Sequence, residues 1–526
     1  MVKGLTLTPV LSAAMGCAAG FYGFSIFYGS GFSDMKLVLL ILFMPVPALC
    51  FFRSLERPFS VLPGRRRRFV SLANFYLAAF AAGLALGIGA GGAAPRGNSY
   101  GVPPESLRGL KGVLLEDPQP AAGGRAMALL SLRESFGRGE TRASASGSIP
   151  VYFPQEAGGR LREFGRGTLI FAEGRPAERK KKGDSAKAGN GGVDFFIAES
   201  LHVLTPASAP ERFRTGLRLN LIGRFTRAAS RPVSVFGRTL RTGEDWGGLS
   251  LALLLGIRDN LDSGLAGFYR DAGCSYVLAL SGMHLAVLAA LISFLLKKLL
   301  GLKFSALAGA CIIVLYCLLV GSLPSLNRAA LMYLLGVLAI LGSLPREPFS
   351  LLSLSFLIQL VFSPSSGLSV SFILSYLALV GILSVGEALC GIFSGKIPES
   401  LLKPLSASLG AFLVTAPVTV CFFGTLRPVG IITGLALVPL TTVFMTVSLA
   451  WLALDIFSPF LSGLLSPFLL LLYGLMEKIV GLAARMPGLS EMPLVPVTLL
   501  SLGLSVFIIC FAAKLRLKRS RLLSFA

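Results

Sequence analysis

Residues Ala272–Leu291 read AGCSYVLALSGMHLAVLAAL, a run without a single Asp, Glu, Lys or Arg. Its length and apolarity are those of a membrane span. Within it stand Ser281, Gly282 and His284, and His284 is one of only 2 histidines in the chain. A Ser-Gly-x-His step in hydrocarbon carries a solvation cost, so it is expected to face protein or water rather than lipid. On one continuous helix Ser281 and His284, three apart, share a face. Just upstream lies LLLGIRDNLDSGLAGFYRDAG, Leu253–Gly273, which is polar and charged.

The whole composition agrees with a membrane protein. Of 526 residues, 54% are hydrophobic and 14% charged, and a mean hydropathy of +0.74 excludes an ordinary soluble enzyme of this size. The net charge of +23 implies a negative partner or surface: lipid headgroups, nucleic acid or both. Part of that charge orients the chain in the bilayer. The 8 cysteines, Cys17, Cys50, Cys274, Cys311, Cys317, Cys390, Cys421 and Cys510, lie in or beside apolar runs, with no CxxC or Cys/His cluster. Neither a zinc site nor a disulfide framework is expected, and no catalytic set or cofactor motif is visible. The N-terminal apolar run continues through Phe27, too long for the apolar core of a cleaved signal.

Apolar windows of spanning length fall at 7–29, 36–52, 69–93, 274–296, 304–322, 329–344, 349–363, 368–390, 404–424, 430–454, 460–484 and 494–513, about 12 spans. The windows 329–344 and 349–363 are short and suit a helical hairpin or re-entrant pair. With the N-terminus in the cytoplasm, the inside segments hold 18 basic residues: Lys3, Arg53, Arg57, Arg65 to Arg68, Lys297, Lys298, Lys303, Arg346, Lys396, Lys403, Lys514, Arg516, Lys518, Arg519 and Arg521. The short outside segments hold 4: Lys36, Arg328, Arg427 and Arg485. This asymmetry predicts cytoplasmic termini and an external region between the third and fourth spans.

That region, about 95–245, has two parts. Residues 95–205 predict strands at Leu110–Glu116, Ala126–Glu134, Ala143–Phe153, Thr168–Gly174 and Val193–Leu204, separated by turns such as Asp117-Pro118-Gln119-Pro120. Five short strands suit a small β-barrel, and the OB-fold is the common five-stranded choice. Arg179, Lys180, Lys181, Lys182 and Lys187 fall between the fourth and fifth strands. There they form either a phosphate-contacting, DNA-binding loop or a plain solvated one. The second part, within 206–257, carries Arg212, Arg214, Arg218, Arg224, Arg227, Arg231, Arg238 and Arg241 against the single acid Glu211 of 206–243. Interleaved with Phe213, Leu217, Leu221 and Phe225, it reads as basic amphipathic surface helices, with arginines lining the entry to a nucleic-acid path as the functional alternative. The fold class is thus a polytopic α-helical membrane protein with an inserted, external OB-like β-barrel. Its parts are 1–94, three spans; 95–205, β domain; 206–257, surface helices; and 258–526, the remaining membrane domain.

Four polar sites stand inside the C-terminal membrane region. They are Arg258-Asp259-Asn260 with Asp262, just before a helix ending Arg270-Asp271; Ser281-Gly282-His284; Pro324-Ser325 leading to Asn327-Arg328; and Ser371 to Tyr376, which includes Ser375, with Gln359 one helix earlier. A cation in the first turn of a helix opposes the macrodipole, so Arg328 is expected to serve an anionic ligand or an acidic partner. Each site also has a plain reading. Ser and Gly let membrane helices approach closely, His284 can be an interior histidine, and Arg328 can snorkel.

These positions carry a resemblance to the ComEC family of competence proteins. LALSGMHLAVLA matches the family's S-G-L-H helix at Ser281, Gly282 and His284, and PSLNRAALM matches P-S-x-x-R-A-x-x-M at Pro324, Ser325, Arg328, Ala329 and Met332. SVSFILSYLALVGIL is similar to G-F-Q-L-S-F-x-A-V-x-G-L at Phe372, Ser375, Leu379 and Gly381. A later run is similar at Thr415, Pro417, Phe423, Gly424 and Pro439. The family's Gln is Ile373 here, its usual Asp before Arg258 is Ile257, with Asp259 as a shifted acid, and its Asn-Leu is Gly434-Leu435. The H-x-H-x-D-H motif of the metallo-β-lactamase-like domain found in many members is not present, so the nuclease portion is expected to be lacking.

The resemblance implies a channel for inward passage of single-stranded DNA across the cytoplasmic membrane. Arg258, Asp259, Asp271, Ser281, Gly282, His284, Pro324, Arg328 and Ser375 would line the polar path. It also implies a cytoplasmic ATP-driven translocase and a separate external receptor or nuclease as partners, besides membrane lipids; a homo-oligomer stays open. No G-x-x-x-x-G-K-[ST] motor sequence occurs in the chain. The rival readings are a transporter of a small anionic solute or lipid, and an intramembrane hydrolase using Ser281 with His284.

Overall fold

The computed structural model describes residues 14–15, 17–19, 21–22, 83–87, 99–121, 125–138, 141–154, 164–177, 195–230, 233–235, 238–240, 244–258, 261–280, 282–321, 323–344, 346–490 and 493–524. Its residues pack as two units: Pro95–Asp262 with Leu315–Gly321, and Met1–Ala94 with Ser263–Val314 and Ser322–Ala526.

The first unit is built on a mixed sheet. Its strands are β1 (Leu107–Leu114), β2 (Gln119–Ala121), β3 (Arg125–Gly137), β4 (Arg142–Ser144), β5 (Ser148–Tyr152), β6 (Leu169–Ala177) and β7 (Phe195–Thr205). Inward and outward residues alternate along β3, the signature of a sheet with one buried face. β1 pairs antiparallel with both β3 and β6, β6 with β7, and β3 with β5, while β5 and β7 run parallel. A bulge between Lys111 and Gly112 bends β1 between its two partners. Leu110, Leu130, Ile149, Val151, Ile170 and Phe196 fill the interior.

After β7 come helix α1 (Ala209–Ala229), a small hairpin β8 (Val233–Val235) and β9 (Arg238–Leu240), and helix α2 (Glu244–Leu255). From Trp246 onward α2 is buried on every side, which its uninterrupted apolar sequence requires. The Phe225 ring of α1 meets Trp246 edge-on at 6.4 Å. The arginines of α1 do not all face outward as the amphipathic reading expects. Arg218 is buried, because the carboxylate of Asp117 is buried with it. Asp117 accepts from Arg214 Nη2 at 2.6 Å, Arg218 Nη1 at 3.2 Å, Thr215 Oγ1 at 3.2 Å and the Arg166 amide at 3.0 Å.

The second unit is helical: α3 (Ser263–Asp271), α4 (Ser275–Leu278), α5 (Gly282–Val320, its last turns belonging to the first unit), α6 (Pro324–Leu341), α7 (Pro348–Phe362), α8 (Val370–Gly381), α9 (Glu387–Phe393), α10 (Glu399–Phe423), α11 (Val429–Phe457), α12 (Pro459–Gly463), α13 (Ser466–Ala484) and α14 (Leu494–Ser524). The π-helical turn Ile382–Gly386 joins α8 to α9. Gly301, at φ 73° and ψ 177°, divides α5 into two arms.

Among the described residues eight helices are long and apolar enough to cross a membrane: Gly282–Leu299, Gly301–Val320, Pro324–Leu341, Val370–Phe393, Glu399–Phe423, Val429–Phe457, Pro459–Ala484 and Leu494–Leu515. Each falls on one of the expected windows. The window 349–363 is instead α7, of 15 residues, shorter than a span. The three N-terminal windows lie outside the described residues, apart from helical residues at 14–22 and 83–87. The opening stretch also differs from one continuous helix. It breaks at Ala279, whose backbone is extended (φ −76°, ψ 129°), after the single turn of α4.

Candidate polar site among the membrane helices

Three of the four polar sequence sites converge at the N-terminal end of α6. Pro324 opens this helix at a position that needs no amide hydrogen. Four residues later Arg328 is buried, 6% exposed. Its Nη1 donates to the Ser375 carbonyl of α8. Its guanidinium carbon lies 5.8 Å from the ring centroid of Tyr376, within cation–π range. No carboxylate pairs with Arg328 among the described residues, and its Nε–H has no hydrogen-bond partner there.

Gly282 begins α5 against this group. A Cβ built on it would stand 3.4 Å from Ala329 Cβ and 3.5 Å from Arg328 Nη2. His284, in the first turn of α5, is 1% exposed. Ser325 Oγ donates to the Leu280 carbonyl at 2.7 Å, tying the α6 start to the segment that enters α5. Gln359 Nε2 of α7 donates to the Pro324 carbonyl at 3.1 Å, while its Oε1 accepts from the Tyr376 hydroxyl at 3.0 Å. The Ser355 hydroxyl lies 3.3 Å from that of Tyr376. Tyr376 also closes the apolar side, with ring centroids 4.6 Å from Phe372 and 5.2 Å from Phe356. The family's Gln position, Ile373, is buried in that apolar cluster. The amide beside Tyr376 comes from Gln359 instead.

The other expected path residues stand elsewhere. Ser281 and Asp259 lie outside the described residues, as do Arg179, Lys180, Lys181, Lys182 and Lys187. The proposed shared face of Ser281 and His284 therefore falls there too. Arg258 is exposed and belongs to the unit containing the sheet. Asp271, exposed at the end of α3, accepts from Arg427 Nη2 at 3.3 Å. Sequence reading took Asp117 for a turn residue and missed its role. Its only signal was three arginines within 206–220 facing one acid, which left a second carboxylate to be found. Among the described residues no three metal-ligating side chains gather.

A buried guanidinium beside an aromatic ring, with no counter-charge among the described residues, raises the local potential for anions and demands hydrogen-bond acceptors. Helices of spanning length that enclose such a group define a multi-pass membrane protein with a positively charged interior site. A family model described as "Competence protein" matches residues 253–518, just over half of the chain, and the chain belongs to this ComEC-type family. No curated protein and no solved structure matches it at a significant level.

Proposed function

We propose that the protein is a channel that carries single-stranded DNA inward across the cytoplasmic membrane and catalyses no covalent step itself. The observation that carries this reading is Arg328, buried with no carboxylate partner among the described residues where the family's own motifs meet. A phosphate chain needs a positively biased path whose contacts are weak enough to release it. The cluster of Gly282, His284, Arg328 and Ser375 supports such a path, and the net charge of +23 suits the same cargo.

In this reading α7 with the residues flanking it completes the twelfth crossing, the termini are cytoplasmic and the sheet region is external, as the basic asymmetry supports. The sheet acts as an OB-like barrel that receives DNA. The pairing order β1, β3, β5, β7, β6 and back to β1, with β5 and β7 parallel, supports closure of that kind. Energy comes from a cytoplasmic ATP-driven translocase, and a separate external receptor or nuclease supplies the strand. A small anionic solute is the rival cargo, since one buried guanidinium also suits one anion.

The test is uptake of labelled DNA by a deletion strain carrying variants, normalised to membrane protein level. His284→Ala and Arg328→Ala are expected to cut uptake at normal abundance, whereas a packing role would leave Ser281→Ala nearly silent and make loss of His284 act through protein abundance. Normal uptake in both of the first two removes the cluster from transport. Uptake of a small anion that is independent of DNA and lost in Arg328→Ala favours the rival.

A further inference from the structure

We infer that the outward stripe of α1 is seated in the bilayer interface, with Phe213 and Leu217 in the acyl boundary and the following arginines on anionic lipid headgroups. The inward side of α1 sets its depth. Arg214 Nη1 donates to the Leu319 carbonyl at 3.5 Å, and Arg218 Nη1 to the Val320 carbonyl at 3.3 Å. Those are the last carbonyls of the spanning arm Gly301–Val320, which otherwise lack partners at a helix end. The two arginines thus cap the end of a span and face its negative dipole. The turn of α1 that carries them therefore lies at the level where the chain leaves the hydrocarbon.

On the other side of that turn, Phe213 is 76% and Leu217 42% exposed. Helical spacing places Phe213, Leu217, Asn220, Arg224 and Arg227 along one stripe. It is apolar beside the span end and basic further along, over about 1.5 Å of rise per residue. Glu211, the acid of the helix, is taken up by Arg214 at 2.6 Å. The stripe therefore meets its surroundings with positive charge, which complements phosphatidylglycerol-like headgroups. Two more exposed leucines adjoin the same place in the chain: Leu204 at the end of β7, which leads into α1, and Leu115, two residues before Asp117.

The experiment uses the full chain in nanodiscs, its 8 native cysteines replaced by serine, with a nitroxide at position 213, 217 or 226. Collision rates with oxygen and with a water-soluble nickel chelate are read by power saturation. At 213 and 217 oxygen is expected to win several-fold, and at 226 the nickel chelate. Phosphatidylglycerol added to phosphatidylcholine should deepen 213 and 217, and Arg212→Ser with Arg224→Ser and Arg227→Ser should abolish that dependence. Nickel preference at 213 and 217 in both membranes overturns the inference. So does a response to a single-stranded oligonucleotide without any response to phosphatidylglycerol, which would give the stripe to nucleic acid.

Discussion

At the scale of single residues, two buried charges behave differently because one has a counter-ion. Asp117 pairs with Arg214 and Arg218, Glu211 supplying a second negative charge at Arg214, and burial pushes the Arg218 guanidinium below its ordinary value while the Asp117 charge opposes that shift. Asp117→Ala strands the Arg218 guanidinium, leaves Arg214 with Glu211 alone and is expected to cost about 3–5 kcal/mol, read as a fall in the melting point of the purified protein. Among the described residues Arg328 meets a carbonyl and a ring but no carboxylate. Arg328→Gln keeps a donor for Ser375, and Arg328→Ala keeps none, so the alanine variant should be the less stable by about 1–3 kcal/mol. Transport should fall in both, because both lose the charge; equal stability with full uptake in the Gln variant would mean that only the hydrogen bond matters. Glu134 gives a pH test. Its hydrogen bond to Arg142, at 2.6 Å, and then that to Lys111 hold its carboxyl below the usual range. A lowered folded value means the contribution is present at neutral pH and lost as pH falls through that value. Glu134→Gln should therefore be less stable than the native chain at neutral pH, with the gap closing in acid.

At the scale of elements, the crossing of α8 with α10 depends on two glycines. A Cβ on Gly381 would lie 2.3 Å from the Gly410 carbonyl oxygen, and one on Gly410 would lie 2.5 Å from that of Gly381. Backbone meets backbone there, so no side chain can move aside. Gly381→Ala or Gly410→Ala should force the helices apart and lower membrane accumulation. Gly336→Ala and Gly474→Ala, where a Cβ meets nothing within 4 Å, should accumulate normally. Since α8 carries Ser375 and Tyr376, the first pair should also weaken transport per molecule. Immunoblots of membrane fractions alongside uptake separate the two effects.

At the scale of the whole molecule, orientation and charge make the predictions. A cysteine placed at position 185 should react with an impermeant reagent added from outside, and one placed near the C-terminus only after permeabilisation. Labelling at 185 only from the cytoplasmic side would invert the topology. Replacing Arg179, Lys180, Lys181, Lys182 and Lys187 with Ser in the full chain should flatten the plot of log affinity for single-stranded DNA against log salt by about 3 units at most. An unchanged slope would make that loop a solvated one.

Local pattern alone determined a great deal here. Apolar runs located all eight described spans, since span length is a matter of bilayer thickness and composition. Alternation located the main strands to within a few residues, and the spaced motifs pointed to the family. Helix continuity was not legible at Ala272–Leu291, where apolar composition is the same for one span and for a turn followed by a break at Ala279. Nor was the pairing of Asp117 with arginines about 100 positions away, because charge partners are chosen by proximity in space. The meeting of Gly282, Arg328, Gln359 and Tyr376 was decided by tertiary packing in the same way. Each belongs to a polar step in an apolar helix that the sequence shows, but which helix faces which is set by close packing of whole surfaces, and no periodicity within one helix records it.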